Sequence, residues 1–219
     1  MKIIMKRKIK SYFAFTSLSY RILVLLPIPV LILLICLGLP FQSGSGNFYY
    51  RILLFGYLTV YEIATDYWML AGCLSDGGSS LKYFRTSHAG TEVVRNVTLV
   101  DLLRRFAFCM IFAAAIAVLT GEAAVLADGL AMYCVIVAVL NGSRHLEGFQ
   151  ILMSIAVLSQ LAVAAVSICN NMLFWHWAAG GEILTILLLL FYGAAALILS
   201  GITIRRITGR VYRRTAALA

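Results

Sequence analysis

Glu62 and Asp66 are the first residues whose type and spacing suggest chemistry. They stand four positions apart inside an otherwise apolar run, so a helix would place both carboxyls on one face. A charged side chain at such a depth costs about 2.5–3.5 kcal/mol on insertion scales. Each acid must then face protein or water, or take up a proton. One reading makes them a polar patch on a translocation path, or a proton site. The other is a helix–helix contact satisfied by Tyr61, Tyr67 or a polar group such as Gln160. Spacing alone leaves both readings open.

Other reactive residue types form no constellation. His88, His145 and His176 are scattered, and His176 lies in Trp175-His176-Trp177, the pattern of an interfacial aromatic anchor. Cys36, Cys73, Cys109, Cys134 and Cys169 contain no CxxC pair and sit in or beside apolar runs. They read as small buried hydrophobes, so neither a metal site nor a disulfide frame is expected. No G-x-x-x-x-G-K-[ST] occurs, and no nucleotide-hydrolysing loop or other cofactor site is expected. An intramembrane enzyme, such as a six-span peptide-processing protease, would draw on Cys73, Cys109, His88, Glu62 and Asp66. Their spacing matches no established nucleophile–base pattern.

The elements that must position these residues follow from composition. The chain has 219 residues, 62% hydrophobic and 12% charged, with a mean hydropathy of +0.94. Soluble domains carry roughly 25% charged residues. A water-soluble domain and a disordered chain are both excluded. The expected fold is all-α: a polytopic integral membrane protein with six transmembrane helices and an N-terminal amphipathic interfacial helix. Residues 1–20 form the basic interfacial segment, 21–204 the six-span domain and 205–219 a basic tail. The spans are expected at Ile22–Leu39, Arg51–Leu74, Leu102–Thr120, Ala123–Leu140, Phe149–Cys169 and Ile183–Ile204. Thr120-Gly121-Glu122 is short enough to force the third and fourth spans into an antiparallel hairpin. Asn141 to Gly148 reads as a polar loop.

With both termini in the cytoplasm of a cell-membrane protein, 17 of the 18 lysines and arginines fall on the inner side, and only Arg51 lies outside. That bias accounts for the net charge of +9 as a topology signal. Membrane lipid is the expected surrounding, and nucleic acid is not an expected partner. The sequons at Asn96 and Asn141 then face the cytoplasm and stay unmodified.

The longest polar stretch, residues 75–105, joins the second and third spans. Gly77-Gly78 ends one helix, Ser79 or Ser80 can cap a short next one, and Gly90 breaks the chain again. From about Thr91 a further helix runs into the third span. Thr98-x-x-Asp101 fits a loose capping box, and a continuous helix fits as well. The stretch serves either to dock a soluble partner or to lie on the membrane with Tyr83 and Phe84 among headgroups.

The layout as a whole resembles the membrane subunit of an ABC-2 type exporter. The features are the basic amphipathic start, six spans with cytoplasmic ends, the hairpin of spans three and four, and the polar connection at 170–177. The loop L-K-Y-F-R-T-S-H-A-G-T-E-V-V-R-N-V-T-L-V-D-L-L-R-R-F completes the likeness. The resemblance implies a permease that works as a homodimer or heterodimer with another permease. It also implies binding to a separate cytoplasmic ABC ATPase and outward movement of lipids, polysaccharides, peptides or drugs. Leu81, Lys82, Tyr83, Phe84, Arg85 and Thr86 would be the coupling segment to that ATPase. A passive membrane immunity or substrate-binding subunit is the remaining alternative.

Overall fold

The computed structural model describes residues 8–13, 16, 30, 58–63, 65, 88–143, 165 and 181–216. Three helices dominate: α1 (His88–Thr120), α2 (Val125–Ser143) and α3 (Gly181–Ala216). Helical turns also occur at 8–13 and 58–63, and no strand occurs among the described residues. The third, fourth and sixth expected spans coincide with α1, α2 and α3. The 58–63 turns and Thr65 lie inside the expected second span, whose remainder is outside the described residues. So are the first and fifth expected spans, apart from single positions.

α1 is longer than the sequence suggests. It runs unbroken through Gly90, where a chain break was expected. One helical glycine costs only about 1 kcal/mol, and no proline interrupts the run. The capping-box reading at Thr98 is also replaced. Thr98 is mid-helix and its hydroxyl donates to the Val94 carbonyl at 2.9 Å. At 1.5 Å per residue, the 33 residues of α1 extend about 50 Å.

The turn after α1 depends on Gly121, whose φ of 72° lies in the left-handed region that ends helices at low cost to glycine. Residues 121–124 reverse the chain. Val125, Leu126 and Ala127 donate back to the carbonyls of Glu122, Ala123 and Ala124 at 3.0–3.2 Å. The expected hairpin is present, with its fourth helix starting at Val125. That helix continues through Ser143, so Asn141 is helical, where a loop was expected.

Small residues let α1 and α2 approach closely. A Cβ on Gly129 would collide with the Ala113 side chain and stand 3.2 Å from the Cys109 carbonyl. Phe106 meets Tyr133 edge to face, with centroids 5.5 Å apart. Residue numbers fall on α1 as they rise on α2, so the pair is antiparallel. α3 pairs with α2 in the opposite sense. Cys134 donates to the Tyr192 carbonyl at 3.5 Å, Tyr133 bonds Ser200 at 2.7 Å, and Asn141 donates to Thr203 at 2.8 Å. The Tyr133 and Cys134 contacts both precede the Asn141–Thr203 contact on each helix, so α2 and α3 run parallel.

α2 is the central helix, packed on both α1 and α3. Val125, Ala127, Ile136 and Val137 are fully buried. α3 is one-sided. Ala196 and Thr203 face inward, while Ile183, Leu190, Phe191 and Leu197 are each at least 66% exposed. Two stretches, Glu92–Thr120 and Ile183–Arg206, are long and apolar enough to cross a bilayer. The apolar part of α2, Val125–Asn141, is shorter, about 26 Å.

Candidate functional site

The site grows from the spacing of Asp101, Arg104 and Arg105 on α1. Positions i, i+3 and i+4 share one helix face. Asp101 holds both arginines: Oδ2 accepts from Arg105 Nε at 2.8 Å, and Oδ1 accepts from Arg104 Nε and Nη2 at 3.3 Å each. The two guanidiniums are thereby aimed across α1 at the stretch containing Glu62.

Glu62 receives them both. Arg104 makes a two-pronged contact, Nη1 to Oε1 at 3.1 Å and Nη2 to Oε2 at 2.8 Å. Arg105 Nη1 donates to Oε2 and to the Glu62 main-chain carbonyl, both at 2.7 Å. That carbonyl also accepts the Thr65 hydroxyl at 2.9 Å. Arg104 further lies over the Phe108 ring, Cζ 5.6 Å from its centroid, a cation–π distance.

Burial makes these contacts consequential. The side chain of Arg105 is fully buried and that of Arg104 is 8% exposed. Glu62 and Asp101 are 2% and 1% exposed. Stripping water from four charged groups is expensive, and the mutual pairing of two carboxylates with two guanidiniums offsets it. Two-pronged, charge-assisted bonds also fix direction, which apolar packing does not.

No family model, curated protein or solved structure matches the chain.

The cluster changes how the sequence candidates are understood. Glu62 meets Arg104 and Arg105 of α1, and two of its expected partners, Tyr67 and Gln160, lie outside the described residues. It meets α1 about 16 residues before the turn, roughly 24 Å from it. That contact is close to the midpoint of α1. Asp66, Gln160 and the segment Leu81, Lys82, Tyr83, Phe84, Arg85 and Thr86 lie outside the described residues.

Sequence reasoning counted Arg104 and Arg105 as cations of the 75–105 connection and missed their part in the cluster. A signal was present: D-x-x-R-R immediately before an apolar run, with an unmatched acid in the preceding run. Cys109 lies one helical turn beyond Arg105, is buried, and is a free thiol, as is Cys134. No set of three or more His, Cys, Asp or Glu side chains capable of holding a metal occurs among the described residues. The arrangement ties the chain before the 66–87 connection to the chain after it.

Proposed function

We propose that the chain is the permease subunit of an ATP-driven exporter of the ABC-2 type. In this reading it lies in the cell membrane with six spans and both termini in the cytoplasm. It forms the translocation path as a dimer and is driven by a separate cytoplasmic ATPase seated on Leu81–Thr86.

The observation that carries this reading is the unbroken length of α1. About 20 residues cross a hydrocarbon core of about 30 Å. With Thr120 at the far surface, the first dozen residues of α1 stand clear of that core and directly follow the 81–86 segment in the sequence. A rod continuous from His88 to Thr120 carries a push at its cytoplasmic end to the opposite face. The helix directions add support for the span count. α2 and α3 are parallel, as a crossing between them in the sequence requires. The sequence between them contains the apolar run Phe149–Cys169, long enough for such a crossing.

The experiment is purification of the tagged full-length chain from native membranes in mild detergent. An ATP-hydrolysing protein is expected to copurify, and Tyr83→Asp with Phe84→Asp is expected to release it while leaving the chain in the membrane. Absence of any such protein, or its undiminished retention by the double variant, refutes the reading.

A further inference from the structure

We infer that the Glu62–Asp101–Arg104–Arg105 cluster is a coupling clamp, which makes the 58–65 stretch and α1 move as one body. The inference rests on the exporter reading for the source of the motion. The clamp itself rests on geometry.

The chain leaves the 58–65 stretch, makes the 66–87 connection and enters α1. The cluster joins these two helical stretches. A connection whose ends were free would move only the helix nearest the applied force. Here a displacement of α1 pulls on Glu62 through two guanidiniums at once. The Arg105 bond to the Glu62 main-chain carbonyl carries the load to backbone, beyond the reach of a side-chain rotation.

The division of labour within the cluster supports the same role. Asp101 bonds the arginines within α1 and pre-aims them, so Asp101 is a positioning residue. Glu62 carries ion pairs across between the two stretches. Pairing within α1 survives if Glu62 withdraws, whereas Glu62 then loses both cations. Ion pairs of this kind fix register, while apolar contacts of similar area permit sliding. Downstream, α1 is locked to α2 by Gly129 against Ala113, so the clamped body includes the hairpin.

The test uses the full-length chain with its copurifying ATPase in phosphatidylethanolamine–phosphatidylglycerol vesicles. Single cysteines are placed at Ser45, ahead of the 58–65 stretch, and at Glu122, in the turn after α1, in a background with the five native cysteines replaced. Labelling by a water-soluble maleimide is read with and without a non-hydrolysable ATP analogue. With the cluster intact, the nucleotide is expected to change the labelling rate at both positions, by at least about twofold. With Glu62→Leu, Asp101→Leu, Arg104→Leu and Arg105→Leu together, position 122 is expected to respond and position 45 to fall silent. Arg104→Lys keeps every charge but loses the two-pronged contact. It is expected to cut the response at 45 by about half and covers the case in which the fourfold variant does not fold. Equal responses at 45 in all three proteins overturn the clamp, as does no response with the cluster intact. If no ATPase copurifies, the exporter reading fails. The clamp is then decided by melting in detergent: Glu62→Leu alone should lower the midpoint and the fourfold variant should not, and equal losses overturn it.

Discussion

Arg105 Nη1 holds Glu62 at two atoms, the carboxylate Oε2 and the main-chain oxygen, each at 2.7 Å. Removing that guanidinium leaves a buried acid and a buried carbonyl short of a donor. Loss of one partner from a buried pair costs about 3–5 kcal/mol. Arg105→Leu is therefore expected to lower the detergent melting midpoint and the yield of folded chain. Arg104→Leu, at the slightly exposed edge of the cluster, is expected to lower them less. Thermal unfolding followed by circular dichroism checks the order.

The α1–α2 contact tests differently, by overfilling. Gly129→Leu inserts four carbons where one Cβ already strikes Ala113. Overpacking of this sort costs about 1–3 kcal/mol. Gly193→Leu, where a Cβ meets nothing within 4 Å, is expected to cost much less. The two variants compared in one melting series separate packing from helix propensity.

Asn141, near the end of α2, is tied to Thr203, past the middle of α3. Interhelical side-chain hydrogen bonds measured in a membrane protein average about 0.6 kcal/mol, with a maximum near 1.7. A double-mutant cycle of Asn141→Ala and Thr203→Val is expected to return a coupling within that range. A coupling of zero would mean that the two side chains do not meet in the membrane.

Cys109 and Cys134 are at most 9% exposed. In a variant carrying only these two cysteines, a membrane-permeant maleimide is expected to label neither until sodium dodecyl sulfate is added. Prompt labelling of Cys109 in native membranes would mean that the α1–α2 contact is open.

Glycine and hydropathy signals located the α1–α2 hairpin in the sequence, because Gly121 and the short polar turn have local causes. The extent of α1 was less legible. Gly90 carries a modest helix penalty that context overrides, and Thr98 serves equally as a cap or as a residue bonding back to Val94. Glu62 stood out because an acid in an apolar run needs a partner. Its partners did not stand out, because they lie about 40 residues away and which faces meet is a tertiary matter. Arg104 and Arg105 looked like topology cations, since charge counting takes no account of burial. The parallel sense of α2 and α3 comes from three side-chain contacts that sequence alone does not pair.

The contrast between a hidden α2 and an α3 showing Leu190, Phe191 and Leu197 outward has a practical corollary for protein engineers. Repainting the chain to dissolve in water would begin on the bare flank of α3, where polar replacements displace no neighbour. The same brush applied to Ile136 or Val137 of α2 would tear out the interior first.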